Sequence, residues 1–161
     1  MGYTAAIVTV SDKLFAGNGE NVQEASFRML MEERGWNIVE TKTISGDNDI
    51  VRNTLIELSD QDIPLVLTIG GGGYSDRSFV PEVTLGVIER EVRGIPELMR
   101  QKSMELTPAG CLSRGVAGIR RKTLIVNLPG NIKAAIENFN FGEDAMKHVV
   151  RMLWPEDTPK P

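Results

Sequence analysis

An apolar run, Thr123-Leu124-Ile125-Val126, leads into Asn127-Leu128-Pro129-Gly130, and a patterned segment carrying Lys133 on its first turn follows at once. That is the order of a buried strand, a tight loop and a helix N-terminus. Unpaired backbone N–H groups and the helix dipole favour an anion there, and Lys133 adds a full positive charge. A second glycine loop, Gly70-Gly71-Gly72-Gly73, follows another apolar strand segment. Consecutive glycines permit positive φ and let a ligand approach the main chain closely. The run matches neither the G-x-x-x-x-G-K-[ST] phosphate loop nor the dinucleotide G-x-G-x-x-G. Two such loops in one small domain point to a phosphorylated ligand, whereas either alone reads as an ordinary strand-to-helix turn.

Carboxylates accompany these loops. Asp12 directly follows the first strand segment, and Asp47, Asp49, Asp76 and Glu82 fall in loops or at helix starts. Such groups can hold Mg²⁺ against phosphates, and they also favour helix N-termini without any metal. For Asp47 and Asp49 capping is the leading reading; for Asp12 a functional role and a turn role stand level. Arg114 is a candidate anion partner or a surface ion pair, and Arg120-Arg121-Lys122 reads as a solvated turn before a strand.

The totals narrow the function class. At 161 residues the chain fits one domain with a substantial core. A net charge of −4 argues against broad nucleic-acid binding, which needs a basic face, but leaves room for a small anion held by local charge. No apolar run approaches the roughly 20 residues that cross a bilayer, and no basic N-terminal segment leads into a signal-type core, so the expectation is a cytoplasmic protein without a membrane partner. The single cysteine, Cys111, excludes an intrachain disulfide and a thiolate metal cluster. With one histidine, His148, any metal must be a hard ion held by carboxylates, Mg²⁺ first.

The elements that must position these residues alternate along the chain. Tyr3–Val10 reads as a buried strand and Ser11 through Gly19 as a polar loop. Val22–Arg34 reads as a helix stopped by Gly35, and Asn37–Ile44 as a strand. A helix capped by Asp47 or Asn48 runs to about Ser59, and Pro64–Ile69 is a strand. Pro81 starts a helix through Arg90 and Pro96 another through Lys102; Leu112–Ile119 reads as a short helix or loop. Thr123–Leu128 is a strand, and Ile132, Ala135, Ile136 and Phe139 mark a helix that Gly142 separates from a last one ending near Trp154. Residues 1–154 form the expected domain, and Pro155–Pro161 a loosely held tail. The alternation predicts an α/β fold, a three-layer α/β/α sandwich around a mainly parallel sheet, with ligands gathering beyond the strand carboxyl ends.

Taken together, Thr9-Val10-Ser11-Asp12, Gly70-Gly71-x-Gly73, Pro81-Glu82-x-Thr84, Leu112-Ser113-Arg114, Ala117-Gly118-Ile119-Arg120 and Asn127-Leu128-Pro129-Gly130 resemble the MogA/MoaB family of molybdenum-cofactor biosynthesis, also represented by the G domain of gephyrin. The resemblance covers nearly the whole chain apart from the tail. It implies a molybdopterin-binding three-layer fold, assembled as a homotrimer, with other molybdenum-cofactor proteins as further partners. It also implies, for MogA-type members, adenylylation of molybdopterin with ATP and Mg²⁺: the molybdopterin phosphate attacks the ATP α-phosphorus and pyrophosphate leaves. Such a reaction depends on aligning two polyanions and neutralising their charge. Carried over by position, the resemblance implies ligand contacts at Ser11, Gly70, Gly71, Gly72, Gly73, Glu82, Ser113, Arg114, Asn127, Pro129, Gly130 and Lys133, with Asp12 and Asp47 as metal candidates.

The chain departs from the family where catalysis is expected. Gly-Gly-Thr-Gly becomes Gly70-Gly71-Gly72-Gly73, losing a hydroxyl. The family's following Arg-Asp aligns with Arg77-Ser78, its acidic pair after the second strand with Gly46-Asp47, and its Asp-x-Ser-Gly with Asn21-Val22-Gln23-Glu24. Serine cannot replace an aspartate as a metal ligand or proton acceptor at neutral pH. The implied catalytic set is therefore Asp12, Ser78 in the aspartate's place, and Asp76 two residues upstream as a substitute carboxylate. Two readings follow: an adenylyltransferase with a rearranged acidic site, or a molybdopterin-binding or carrier paralogue impaired in transfer.

Overall fold

The computed structural model describes residues 3–157. In chain order the elements are β1 (Tyr3–Val10), α1 (Asp12–Phe15), α2 (Val22–Glu33), β2 (Trp36–Ile44), α3 (Asn48–Asp60), β3 (Leu65–Ile69), α4 (Val80–Val87) and β4 (Arg90–Glu91). There follow α5 (Gly94–Leu106), a 3₁₀ turn at Pro108–Leu112, β5 (Ala117–Arg120), β6 (Thr123–Leu128) and α6 (Ile132–Leu153). The strands form one sheet in the order β2-β1-β3-β6-β5-β4. β2, β1, β3 and β6 run parallel, while β5 is antiparallel to β6 and β4 to β5.

The apolar runs of β1, β3 and β6 are continuous because both sheet faces are covered. Side chains alternate across the sheet. Ala5 and Ile7 pack with Leu65, Leu67, Phe27, Met99 and Phe139 on the face covered by α2, α5 and α6. Ala6, Val8 and Val10 pack with Val66, Leu55, Val80 and Ile125 on the face covered by α3 and α4. This is the three-layer α/β/α arrangement expected from the alternation. α6 is also held by charge: the nearly buried Glu143 accepts from Arg34 Nη1 at 2.8 Å, Trp36 Nε1 at 3.1 Å and Lys147 Nζ at 2.9 Å. Among the described residues no helix is long and apolar enough to cross a membrane.

Several boundaries differ from the sequence reading, each for a local reason. The polar segment after β1 contains a short helix, α1, because Ser11 Oγ accepts from Leu14 N; Gly17, at φ +79°, follows its end. The helix containing Pro81 stops at Val87 instead of running through Arg90. There Glu89 N donates to Ile119 O at 2.8 Å and Val92 N to Ala117 O at 2.8 Å, so sheet bonds replace helical ones. The next helix begins at Gly94, ahead of Pro96, and continues past Lys102 to Leu106.

Residues 117–120 are a strand, not a helix or loop: β5 and β6 form a hairpin closed by Arg121 and Lys122. Arg121 adopts φ +54° without the glycine or asparagine that usually announces such a turn. Arg120 is a half-buried strand end whose Nη1 donates to Val87 O, so only part of the basic triplet is a solvated turn. Gly142 does not divide two helices. α6 is continuous through it, and a Cβ there would meet Met146 Cε at 3.1 Å and Met99 Sδ at 3.5 Å. Glycine is what α5 and α6 need to pack closely. Of the expected tail, Pro155–Asp157 form a turn after α6, and residues 158–161 lie outside the described residues.

Candidate functional site at the carboxyl ends of the parallel strands

The chain leaves β1 toward β2 on one side and returns with β3 on the other, so the topological switch point lies between the carboxyl ends of β1 and β3. The loops at Ser11–Asp12, Gly70–Gly73 and Pro129–Gly130 meet there. Their approach is set by backbone. Gly70 has φ +95°, and a Cβ on it would lie 2.6 Å from Val10 O; a Cβ on Gly130 would lie 3.2 Å from Gly70 Cα. Gly71 has φ +70°, and a Cβ there would strike Val80 Cγ2 at 2.4 Å. Gly72 and Gly73 carry neither constraint, the nearest atoms standing 3.9 and 3.6 Å from an added Cβ. The four glycines are thus two of obligate geometry and two that leave space.

Two hollows share Gly130 in their lining. One, of about 290 Å³, is lined by Ser11, Gly70, Gly71 and Gly130 together with Thr9, Leu14, Asn21, Gln23 and Glu24. The other, of about 160 Å³, is lined by Gly72, Gly73, Ser113, Arg114, Gly115, Asn127, Leu128, Pro129 and Gly130. Thr9, Asn21, Gln23 and Glu24 were missed as site residues. Asn21 caps α2 by accepting from Glu24 N at 3.1 Å, and its Nδ2 donates to Thr9 Oγ1 at 3.0 Å and Thr43 Oγ1 at 3.3 Å. The Asn-x-x-Glu spacing of a helix start was the available signal.

Not every expected residue is free to meet a ligand. Asn127 lines the smaller hollow, but its side chain is committed inside the fold: Nδ2 donates to Thr68 Oγ1 and Thr84 Oγ1, both at 3.0 Å, and Oδ1 accepts from Val116 N at 3.2 Å. Ser113 Oγ accepts from Gly115 N at 3.3 Å. Arg114 donates through Nε to Gly73 O, through Nη2 to Ser78 O and through Nη1 to the Glu82 carboxylate, so Glu82 is engaged as well. Lys133 extends into solvent with its side chain 85% exposed and Nζ 4.0 Å from Glu137.

The acidic candidates separate. Asp12 accepts from Gly46 N at 2.9 Å and takes a two-pronged bond from Arg77, Nε to Oδ2 and Nη2 to Oδ1, both at 3.0 Å. The Arg77 guanidinium first, then the Gly46 N–H, hold the Asp12 carboxyl down at about 2. Asp47 Oδ1 caps α3, accepting from Asp49 N and Ile50 N. Asp76 is exposed and lines neither hollow. Ser78 Oγ and Ser75 Oγ hydrogen-bond at 2.8 Å.

The fit to Mg²⁺ follows from these donors. The ion requires oxygen ligands in near-octahedral array. Both Asp12 oxygens are occupied by a cation, Asp47 serves a helix, and among the described residues no group of three or more His, Cys, Asp or Glu could hold a metal. The side chains by themselves do not complete a magnesium shell.

Similarity to known proteins agrees with this architecture. A family described as "Probable molybdopterin binding domain" matches residues 6–148. The chain is 37% identical over 147 residues to the molybdopterin adenylyltransferase of Haemophilus influenzae, covering 89% of this chain and 75% of that protein. It is 42% identical over 113 residues to the molybdopterin adenylyltransferase of Escherichia coli K12, covering 70% of this chain and 58% of that protein. The solved structure of the molybdopterin biosynthesis enzyme MoaB from Thermus thermophilus superposes with a TM-score of 0.88 at 33% identity, covering 96% of this chain and 98% of that one. The switch-point cleft thus sits in a chain that belongs to the molybdopterin-binding domain family of molybdenum-cofactor biosynthesis.

Proposed function

We propose that the chain, as a unit spanning residues 1–154, binds molybdopterin and transfers the adenylyl group of ATP to it. The bond formed joins a molybdopterin phosphate oxygen to the α-phosphorus, and the bond to pyrophosphate breaks. The observation that carries the reading is the pair of hollows that share Gly130 where the glycine loops converge. Two phosphorylated molecules seated in these hollows can bring their phosphates together over Gly130, which lines both, and transfer between polyanions depends first on such alignment. The similarity to molybdopterin adenylyltransferases supports the same chemistry. Backbone around Gly70–Gly73, Pro129 and Gly130 receives phosphate oxygens, Ser11 and Ser113 contribute hydroxyls, and Lys133 supplies long-range attraction. Magnesium bound to ATP would supply phosphate charge neutralisation, and no side chain is assigned to it. A homotrimeric assembly, a cytoplasmic location and other molybdenum-cofactor proteins as partners belong to the same reading.

Incubation with molybdopterin, ATP and Mg²⁺, followed by mass detection of adenylylated molybdopterin, tests it. No product above background under saturating substrates would sink the transfer step.

A second reading, a molybdopterin binder impaired in transfer, is favoured by one specific arrangement: Asp12 is paired with Arg77, Ser78 stands where the family has aspartate, and Asp76 faces solvent. Calorimetry distinguishes them, because a binder retains molybdopterin affinity without product, and absent binding removes both.

A further inference from the structure

We propose that Arg114 is a positioning residue that fixes the shape of the 71–80 loop through Gly73, Ser78 and Glu82, and is not itself a contact for the ligand's phosphate. The proposal deepens the adenylyl-transfer reading and rests on it for its kinetic arm.

The loop is closed at its base, where Val80 N donates to Gly71 O at 3.0 Å. Between those ends one turn is closed by Ser78 N donating to Ser75 O at 3.0 Å and Arg77 is held by Asp12, while the rest of its shape depends on side chains from outside the loop. Arg114 reaches across from the segment before β5 and takes two of the loop's carbonyl oxygens, Gly73 O at 3.0 Å and Ser78 O at 2.6 Å. Its remaining arm pairs with Glu82 on α4, which follows the loop. The guanidinium also lies 5.5 Å from the centroid of the Tyr74 ring, and Tyr74 Oη donates to Leu112 O at 2.8 Å. One side chain thereby ties both halves of the loop to the helix after it and to the segment carrying Ser113.

Charge points the same way. Uncovered carbonyl oxygens repel an approaching polyanion; here a cation covers two of them. Three of the guanidinium's five N–H groups are committed and a carboxylate balances its charge, so it meets a phosphate with two N–H groups and a reduced net charge. Lysine cannot reproduce three donors in a planar fork. Geometry of this kind acts on the alignment of reacting groups rather than on affinity.

The experiment compares Arg114→Lys, Glu82→Gln and the double variant with the parent protein, by thermal melts, amide hydrogen exchange over residues 74–78, and steady-state adenylylation. In folded variants each single change accelerates exchange at those amides and lowers kcat by at least about tenfold, with KM for molybdopterin within about twofold. The double variant is no worse than the more affected single, because both changes break one strut. Arg114→Lys that raises KM more than about tenfold with kcat and exchange unchanged, while Glu82→Gln binds as well or better, overturns the proposal in favour of a direct phosphate contact. Where the parent protein itself makes no product, the transfer reading fails separately and exchange alone decides: unchanged exchange in both single variants overturns the strut, and faster exchange in both supports it.

Discussion

Asp12 and Arg77 are joined through both carboxylate oxygens, each 3.0 Å from a guanidinium nitrogen, and this pair ties the loop after β1 to the loop after β3. Gly46 completes the junction by donating its N–H to Asp12 from the loop after β2. Position 46 is a glycine, and the junction is tight there: a Cβ would lie 3.3 Å from Arg77 O. Three strand ends are therefore connected through one carboxylate. The group that resembles a catalytic acid is, in the free protein, a crosslink.

The first prediction concerns its ionisation. Asp12 titrates at about 2, depressed by Arg77 first and Gly46 second. Arg77→Ala raises the value toward the ordinary carboxylate range, about 3.9, as followed by NMR of the Asp12 side-chain carboxyl carbon. The sign for stability follows from linkage. The pair's contribution is fully present above the ordinary aspartate range and is lost as pH falls through that range toward 2. Both side chains are about half exposed, at 55% and 48%, so the stability change is small and the titration is the decisive readout. An unchanged Asp12 titration in Arg77→Ala refutes the assignment.

A second prediction separates the four glycines. Gly70→Ala and Gly71→Ala each combine positive φ with a severe close approach, to Val10 O and Val80 Cγ2 respectively. Each costs about 2–4 kcal/mol and lowers the melting temperature by about 5–10 °C. Gly72→Ala, with open space around its Cβ, stays within about 1 kcal/mol. Equal melting temperatures for all three variants contradict this division.

Ser78→Asp introduces the acidic side chain that the resemblance leads one to expect at this position, with Ser75 Oγ already 2.8 Å from Ser78 Oγ. Added carboxylate chemistry at that position raises adenylyl transfer by about tenfold or more if its loss limits the parent protein. The rate of adenylylated product formation measures it. No gain assigns the limit elsewhere, with the Asp12–Arg77 pair as the next position to change.

Glu143 offers a test remote from the site. Burial opposes its charge, but the bonds from Lys147, Arg34 and Trp36 outweigh this and leave its carboxyl below the usual range. Glu143→Ala strands Lys147 and the Trp36 N–H and costs about 3 kcal/mol in chemical denaturation. Its stabilising effect is present above the ordinary glutamate range and fades as pH drops through and below it. The parent and the variant should therefore differ less at pH 3 than at pH 7.

The glycine loops, the strand ends and the three layers were legible because each depends on local pattern: continuous apolar runs, caps and glycines at strand ends. What escaped depends on partners distant in sequence. Asn127 was visible as a polar residue at a strand end, but its commitment to Thr68 and Thr84 comes from two other elements. Gly142 looked like a break because helix propensity disfavours glycine, whereas the structure uses it to admit Met99 from α5. β5 hid behind a turn of Arg121 and Lys122, residues with no preference for that conformation. Arg114 was legible as a cation near the site, but not as one already occupied by Gly73, Ser78 and Glu82.

The contact between Gly70 and Gly130 has a consequence for how such a cleft can diversify. The contact is main chain on both sides, and a Cβ on either glycine would press into the opposite loop or into β1. Sequence drift has no side chain there with which to widen, narrow or charge the passage. On the proposed reading, selectivity falls to the side chains lining the hollows, Asn21, Gln23 and Glu24 in the larger and the Ser113–Gly115 segment in the smaller. A protein built on this contact can then change the lining of either hollow while keeping the same main-chain approach of Gly70 to Gly130.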